Sequence, residues 1–210
     1  ALFQERARWF LTDNEHGKRL QVTLGGQTFA LTTSQANGHF TGRTKVPAAA
    51  LGEAQSTGRV SFRAVTREGD ERVFAGEAVL LGETGLSVIS DIDDTIKVSQ
   101  VRERRELLRN TFCRPYRAVP GMAEVYRGWA TNAGAQFHYV SASPWQLYAP
   151  LAEFTRTNGF PAGTFQMKLF RWKDETVMNL FESPHLYKRA TITPLLERFP
   201  QRRFVLVGDS

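Results

Sequence analysis

Short alternations of apolar and polar residues fill the first 85 positions of the chain. The run KRLQVTL is joined to QTFALTT by Gly25-Gly26, and two alternating runs around a two-residue glycine turn predict a β-hairpin. The runs GHFTGRTKV and GRVSFRAV are further candidate strands. No long segment of helical period lies between residues 20 and 85. Several short strands with glycine-rich turns predict a small all-β, sandwich-like domain over residues 1–85.

The pattern changes after residue 86, where predicted strands and helices alternate. The strand candidates are the apolar runs GLSVIS, AQFHYVS, FQMKLF and RFVLVG. Helical spacing is found in GMAEVYRGWA, in the stretch that follows Ser143-Pro144, and in ATITPLLERFP, where Pro194 is expected to lie in the first turn. This alternation predicts a Rossmann-like α/β domain over residues 86–210, with a parallel sheet and helices on its faces.

Length and composition limit the class of protein. The chain has 210 residues, which suffices for one large or two small domains. No apolar run approaches the roughly 18 residues of a membrane span. Cys113 is the single cysteine, so an internal disulfide is excluded and a reduced compartment is expected. We therefore expect a cytoplasmic protein.

The charge of the chain favours anionic partners. The formal net charge is +6, and 17 Lys and Arg stand against 12 Asp and Glu after residue 86. Such an excess is typical of proteins that bind phosphates, nucleic acid or an anionic membrane surface, although a solvated basic surface explains it equally well. Nucleic acid is the weakest of these partners, because no basic stretch interleaved with aromatic residues resembles a known binding module.

Polar residues cluster where the predicted parallel strands end. The stretch VISDIDDTIKVSQV carries Asp91 and Asp93 after an apolar run, and two other strands end at Ser141 and Asp209. Ligands of an open parallel sheet lie beyond the carboxyl ends of its strands, so these side chains are expected to share one crevice. Converging carboxylates need a cation, and an all-oxygen site suits Mg²⁺. Lys188, which lies just before the predicted start of a helix, is expected to reach the same crevice.

These residues carry a resemblance to a known superfamily. SDIDDTI, YVSAS, the lysine of YKRA, and VLVGDS resemble the four motifs of the haloacid dehalogenase (HAD) superfamily, in the same order. The longer stretches DIDDTIKVSQV, LLRNTF, PGMAEVY, FHYVSASPWQLY and RFVLVGDS resemble the actin-patch-associated, Mg²⁺-dependent phosphatidate phosphatases and their bacterial relatives. This likeness covers roughly residues 87–210, and the N-terminal part resembles their β-rich domain more loosely.

The resemblance implies a role for each matching residue. Asp91 would be the nucleophile that forms an aspartyl-phosphate, and Asp93 the general acid and then the general base. Ser141 would bind the phosphoryl group and Lys188 would neutralise its charge. Mg²⁺ would be held by the Asp91 carboxylate, the Asp93 main-chain carbonyl and Asp209. The superfamily pattern also implies a second acid shortly after Asp209, so we expect the domain over 86–210 to be C-terminally incomplete.

A short basic segment follows the first motif, where the superfamily places a cap. Its arginines fit recognition of anionic head groups, or alternatively a solvated helix face. The segment is short, so the cap is expected to be minimal and the site open to a bulky substrate such as a lipid. The candidate substrate-binding residues are Thr95, Ser143, Arg104, Arg105 and Arg109.

Three functions remain open from the sequence. The first is an Mg²⁺-dependent phosphatase that converts phosphatidate to diacylglycerol, with peripheral association with a membrane. The second is a phosphatase of a soluble phosphate ester or phosphoprotein, and the third is a membrane or scaffold binding module without catalysis. Two polar residues have structural interpretations. Asp94 is expected to stabilise a turn or cap a helix, and His138 to be a hydrogen-bonded core residue.

Overall fold

The computed structural model describes residues 2–11, 15–52, 54–169 and 184–209. By its internal contacts the chain forms two compact units. The antiparallel unit comprises Asp13–Leu81, and the parallel unit comprises Ala1–Thr12 together with Gly82–Ser210. Each unit is described by itself below. The domains expected at 1–85 and 86–210 stay a prediction, and the compact units differ from them by placing the first 12 residues in the parallel unit.

The elements are numbered in chain order. The strands are β1 Arg19–Leu24, β2 Gln27–Thr33, β3 Arg59–Ala64, β4 Ala75–Val79, β5 Leu86–Asp91, β6 Gln136–Pro144, β7 Gly163–Lys168 and β8 Arg203–Val207. The α-helices are α1 Leu2–Ala7, α2 Ala48–Leu51, α3 Ala54–Thr57, α4 Arg104–Leu108, α5 Met122–Ala133, α6 Tyr148–Thr157 and α7 Pro184–Arg198. Two 3₁₀ turns, Arg8–Phe10 and Trp145–Leu147, and a π-helical turn, Arg109–Cys113, complete the described elements.

The antiparallel unit is built on a sheet with the strand order β2-β1-β3-β4. The predicted hairpin is confirmed, because Leu24 pairs with Gln27 across a turn in which Gly25 and Gly26 have φ of 55° and 75°. Positive φ at both central residues is the geometry that matches the twist of paired strands, and glycine adopts it without strain. A small core of Leu24, Ala50 and Val60 lies against this sheet.

Two expectations for this unit differ from the structure. The run GHFTGRTKV, residues 38–46, was expected as a strand and forms none. Among the described residues the unit holds one sheet and two short helices, so it is not the expected all-β sandwich of two sheets. The run fails as a strand because its apolar residues are few and widely spaced, which leaves little side-chain area for a neighbouring strand to cover.

The parallel unit confirms the predicted alternation of strands and helices. Its four strands have the order β7-β6-β5-β8 and all pair in parallel. The central strand β5 is buried from Ser87 to Asp91, as expected for a parallel strand covered on both faces. The core of this unit contains Val88, Ile92, Tyr126 and Tyr139, none of which is more than 1% exposed.

The strand order defines where a ligand is expected. The chain passes from β5 to β6 and β7 on one side, then returns to β8 on the other side of β5. A crevice forms beyond the carboxyl ends of the strands where the direction of winding reverses. Asp91 ends β5, in register with Val140 of β6, and Ser90 is in register with Val207 of β8. The carboxyl ends of β5, β6 and β8 therefore border one crevice.

Two helix boundaries were predicted wrongly. Ser143-Pro144 was expected to begin a helix, but both residues end β6 and the helical turn begins at Trp145. Helix α7 begins at Pro184, where proline has a favourable φ and no helical N–H is required, so Pro194 lies inside the helix rather than in its first turn. Lys188 accordingly lies within α7 and not just before a helix.

The N-terminal residues are helical, whereas residues 1–85 were expected to be β. Helix α1 and the turn Arg8–Phe10 belong to the parallel unit, where Phe10 packs with Phe112 at a ring-centroid distance of 5.7 Å. Arg6 is buried and donates to the main-chain carbonyl groups of Thr111 and Arg114. In the described part of the chain no helix has both the length and the apolar character needed to cross a membrane.

Candidate active site

Asp91 and Lys188 form the first part of the site. Asp91 is the last residue of β5 and is 7% exposed, and the Lys188 ammonium lies 3.0 Å from its Oδ2. Burial raises the pKa of Asp91 to about 6, against the opposing effect of Lys188 and with a smaller contribution from the charge of Asp93. The sequence-based expectation that Lys188 reaches the strand ends agrees with this contact.

Asp93 receives hydrogen bonds on both of its carboxylate oxygens. The Lys97 ammonium and the Ser99 hydroxyl lie 2.8 and 2.7 Å from Oδ1. The hydroxyl groups of Ser141 and Ser143 donate to Oδ2 over 3.0 and 3.2 Å. Both serines come from β6, so the carboxylate joins the loop after β5 to the end of the neighbouring strand.

The two carboxyl groups have opposite pKa shifts. Burial raises the pKa of Asp93, but the Lys97 charge and the hydrogen bonds from Lys97, Ser99 and Ser141 outweigh it, and the pKa falls to about 2. Asp91 has fewer compensating partners, and its pKa lies near 6. These shifts belong to the site without a metal ion, and a cation bound beside Asp91 would favour its charged form and lower its pKa.

Sequence reasoning missed Lys97 and Ser99. A lysine and a serine after an acidic motif suggest a solvated loop, and neither was selected as a site residue. A signal was nevertheless present, because Lys97 lies between Ile96 and Val98 and four residues after Asp93. A cation between two apolar residues is expected to be buried only if an acid pairs with it.

Asp94 stabilises the loop, as expected from the sequence. Its Oδ1 accepts the main-chain N–H groups of Ser99 and Gln100, at 2.6 and 2.7 Å, and its Oδ2 accepts that of Val101 at 2.7 Å. Asp94 itself has φ of 57°, a left-handed conformation that aspartate adopts more readily than most residues. The hydrogen bonds of Asp94 therefore hold the loop after β5 in a closed conformation.

Two carboxylates near the strand ends are of the kind that binds a divalent cation. The described residues contain no group of three or more His, Cys, Asp or Glu side chains arranged to bind a metal. Asp91 and Asp209 nevertheless follow neighbouring strands, and a Cβ built on Gly208 would lie 4.0 Å from the Asp91 Cβ. Mg²⁺ is commonly held by one or two carboxylates, with water and substrate phosphate as its other ligands.

Thr95 also lies in the loop after β5. It is 6% exposed, and its hydroxyl has no hydrogen-bond partner among the residues that the structure describes. A buried hydroxyl without a partner is unfavourable and is often explained by a bound ligand or water. The placing of Thr95 at a substrate site stays a prediction.

The structure does not bring the predicted arginines to the acids through any described contact. Arg104 and Arg105 begin α4, and the exposed Arg109 pairs with Glu106 at 2.8 Å. Arg102 instead borders a cavity of about 270 Å³ beside the site, together with Asp94, Gln100, Val101, Glu103 and Asp209. The substrate-binding role of Arg104, Arg105 and Arg109 stays a prediction.

His138 lies away from these groups. It is buried in β6, and its ring nitrogens contact the Thr164 hydroxyl at 2.8 Å and the Ser87 hydroxyl at 3.3 Å. Burial and the nearby Arg202 lower the pKa of His138 to about 4, so it is neutral at pH 7. The expectation of a hydrogen-bonded core histidine is confirmed.

Comparisons with known proteins identify the family. The family model described as the catalytic domain of phosphatidate phosphatase APP1 matches residues 86–210. Phosphatidate phosphatase APP1 of Saccharomyces cerevisiae is 34% identical over 129 residues, which is 60% of this chain and 22% of the yeast protein. An uncharacterized protein of Schizosaccharomyces pombe is 30% identical over 143 residues, which is 66% of this chain and 23% of that protein.

These comparisons confirm the family that the sequence motifs predicted. The matched regions span less than a quarter of the length of either curated relative. The family model covers the loop after β5, both serines of β6, Lys188 and Asp209. Because this match extends over more than half of the chain, the protein belongs to the family of the phosphatidate phosphatase APP1 catalytic domain.

Proposed function

We propose that the protein is a HAD-type phosphatase that hydrolyses phosphatidate to diacylglycerol through an aspartyl-phosphate. The observation that carries the proposal is the pairing of two differently held carboxyl groups at the strand ends. Asp91 contacts one ammonium, whereas Asp93 is held by four donors. The family match over residues 86–210 supports the choice of substrate.

In the first step an oxygen of the Asp91 carboxylate attacks phosphorus, and the bond from phosphorus to the ester oxygen breaks. The leaving oxygen takes a proton from Asp93. In the resting site the low pKa of Asp93 keeps it ionised. The negative charge of a bound phosphate monoester raises the pKa of neighbouring carboxyl groups, which favours proton uptake by Asp93 when substrate binds.

In the second step water attacks the phosphorus of the aspartyl-phosphate, and Asp93 accepts the proton that the water loses. Inorganic phosphate leaves, and the Asp91 carboxylate is restored. Ser141 and Lys188 are assigned to the phosphoryl group, as hydroxyl donor and as positive charge, and Ser141 would turn its hydroxyl from Oδ2 of Asp93 to the phosphoryl oxygen when substrate binds. A carboxylate nucleophile divides the hydrolysis into two easier displacements.

Mg²⁺ is proposed as the cofactor, held by the Asp91 carboxylate, the Asp93 main-chain carbonyl and Asp209. When bound, it would neutralise charge between the nucleophile and the phosphoryl oxygens. The hydrogen bonds to the Asp93 carboxylate leave the carbonyl of this residue as its expected contribution to the metal.

An open site would suit a lipid substrate. Between the loop after β5 and α5, the described helical structure amounts to α4 and one π-helical turn, which fits the expected minimal cap. We propose that the protein acts at a cytoplasmic membrane surface, with exposed arginines of this segment near anionic head groups. A soluble phosphate ester or phosphoprotein remains the alternative substrate, and a binding module without catalysis remains the alternative function.

A substrate panel tests the proposal. Phosphate release would be measured with and without Mg²⁺ on detergent-dispersed phosphatidate, a soluble alkyl phosphate and a phosphopeptide, for the parent and for Asp91→Asn. We expect Mg²⁺-dependent release with phosphatidate as the best substrate, and a loss of at least about 10³-fold in Asp91→Asn because an amide cannot form the acyl phosphate.

The alternatives predict different results in the same panel. A preference for the alkyl phosphate or the phosphopeptide would replace the lipid substrate with a soluble one. Release by Asp91→Asn within tenfold of the parent would contradict the nucleophile assignment. No release from any substrate, with vesicle binding retained, would favour the binding module.

A further inference from the structure

Lys97 is a buried cation without a role in the steps above. Its side chain is 2% exposed, and its ammonium lies 2.8 Å from Oδ1 of Asp93 and also contacts the Ser99 hydroxyl. A buried ammonium is tolerated only when it is paired and hydrogen-bonded. The Lys97 side chain is therefore committed to Asp93 and unable to move into solvent without losing these partners.

The main chain of Lys97 is fixed relative to the same acid. Its N–H donates to the Ile92 carbonyl over 3.0 Å, and its carbonyl accepts the N–H of Asp94 over 2.7 Å. Lys97 also forms isolated bridges with Asp93 and Ala118. The loop therefore holds both ends of the lysine, its main chain and its ammonium, in one geometry against Asp93.

An aromatic ring borders the ammonium. The ring of Tyr116 has its centroid 5.0 Å from the Lys97 ammonium and 3.8 Å from the guanidinium carbon of Arg6. The Tyr116 hydroxyl donates to the Thr111 carbonyl over 3.2 Å, and the Arg6 guanidinium donates to the same carbonyl over 2.7 Å. Cations attract the face of an aromatic ring, more strongly where water is excluded. Arg6 and Thr111 thus fix the ring that contacts Lys97.

The two oxygens of Asp93 differ in their partners. Oδ1 receives the ammonium and the Ser99 hydroxyl, whereas Oδ2 receives only the hydroxyl groups of Ser141 and Ser143. Charge-assisted hydrogen bonds are roughly twice as strong as neutral ones, so Oδ1 is the more firmly held oxygen. Ser141 follows the residue of β6 that is in register with Asp91, so the hydroxyl groups bound to Oδ2 come from the strand next to the nucleophile.

We propose that Lys97 is a positioning residue that fixes the Asp93 carboxyl group, so that Oδ2 is the oxygen that gives a proton to the leaving group and takes one from water. Tyr116 keeps the ammonium in place. The inference rests on the proposed function, because it assigns Lys97 an effect on the proton transfers of Asp93. Without the ammonium, the carboxyl group can rotate and present either oxygen.

The proposed role of Lys97 predicts that its loss affects the phosphorylation rate differently for substrates with different leaving groups. Single-turnover phosphorylation would be measured for Lys97→Met, which keeps an unbranched side chain without charge, on an alkyl and an aryl phosphate. An alkoxide needs a proton to leave, whereas an aryl oxide does not. Misplaced proton transfer should therefore slow the alkyl phosphate about 10–100-fold and the aryl phosphate less than about threefold, with little change in KM.

Three further variants complete the test. Asp93→Asn should show the same dependence on the leaving group, and the double variant should be no slower than Asp93→Asn alone, because both changes remove one function. Lys18→Met is the matched control, since Lys18 is a partly exposed lysine that pairs with Glu15 at 2.8 Å in the antiparallel unit. It should leave both rates unchanged. Equal slowing of the two substrates by Lys97→Met, or additive losses in the double variant, would overturn the inference.

A milder pair of variants applies if Lys97→Met does not fold. Tyr116→Phe keeps the ring, and Tyr116→Leu removes it. Only Tyr116→Leu should slow the alkyl phosphate selectively, by about 3–10-fold, because the cation–π contact depends on the ring. The same rates in both variants would contradict the role of the ring and of Lys97.

Failure of the proposed function gives a different pattern. If the parent hydrolyses neither phosphate, the reaction is wrong, and the position of Asp93 is then compared in crystal structures of the parent and of Lys97→Met or, if this does not fold, Tyr116→Leu. An unmoved carboxyl group would overturn the positioning role as well, whereas a rotated one would support it. If Asp93→Asn lacks the leaving-group dependence while the parent is active, the acid–base assignment fails and the role of Lys97 fails with it.

Discussion

At the scale of single residues, the two acids of the site differ in their partners, because Asp91 contacts one lysine whereas Asp93 contacts another lysine and three serines. Asp91 and Asp93 were selected because acids follow a predicted strand and three further motifs match in the same order. Lys188 was found from a motif and lies 3.0 Å from Asp91. Lys97 and Ser99 were missed, since which residues of a loop turn inward is decided by the closure of the loop and not by residue type.

The pKa of Asp91 gives a prediction for the stability of the metal-free protein. Its folded-state pKa is raised from 3.8 to about 6, mainly by burial. Between these values the folded state binds more protons than the unfolded state, so stability falls as pH rises through this window. Asp91→Asn lacks this titration. The variant should therefore become more stable than the parent as pH rises from about 4 to 6, by up to about 3 kcal/mol.

Urea unfolding of both proteins in the presence of a chelator, from pH 4 to 8, measures this difference. It should grow up to about pH 6 and stay constant above it, because Asp91 is then ionised in both states. A difference that is independent of pH would show that Asp91 titrates normally. The direction of the effect also explains why an active-site acid can cost stability, since the functional charge is buried next to a single ammonium.

At the scale of elements, the strands were easier to predict than the ends of helices. The strands β5, β6 and β8 are apolar runs bounded by polar residues, and the structure has them where the pattern indicates. The start of α7 was placed too late because Pro194 was taken as a marker of the first turn. A proline at the true start, Pro184, carries the same signal, and local sequence does not distinguish the two.

The loop after β5 is an element in its own right, and Asp94 is the residue that closes it. Asp94→Gly removes the acceptor of three main-chain N–H groups, but glycine adopts φ of 57° without strain. Asp94→Ala removes the same acceptor and also places alanine in an unfavourable left-handed conformation. We expect Asp94→Gly to lower the free energy of unfolding by about 2–4 kcal/mol. Asp94→Ala should lose about a further 1 kcal/mol from the left-handed conformation.

Urea unfolding and single-turnover rates test the closure of this loop. Asp70→Gly is the control, because Asp70 accepts one main-chain N–H, from Arg72 at 3.1 Å, and otherwise pairs with the exposed Arg72 guanidinium in a turn of the antiparallel unit. It should cost about 1 kcal/mol and leave turnover unchanged. If Asp94→Gly is as stable as Asp70→Gly, the three hydrogen bonds do not close the loop.

At the scale of the whole molecule, the alternation of strands and helices predicted the parallel unit, and the short alternating runs predicted only part of the antiparallel unit. Contacts between residues far apart in the sequence explain why the antiparallel unit was predicted only in part. A parallel sheet follows from the general rule that strands joined through helices pair in parallel, whereas the short helix α2 contributes Ala50 to a small core that no local period reveals. The net charge of +6 is a further property of the whole chain.

The distribution of that charge yields the last prediction. Charge reversal of Arg104, Arg105 and Arg109 to Glu should weaken sedimentation with anionic vesicles, because each cation near such a surface contributes about 1 kcal/mol. The matched control reverses three exposed cations of the antiparallel unit, Arg43, Lys45 and Arg67, and changes the net charge equally. Only the first variant should lose vesicle binding, while both should keep turnover of a soluble phosphate within about threefold. Equal weakening by both variants would mean that net charge alone drives association, and that the arginines after the first motif are a solvated helix face.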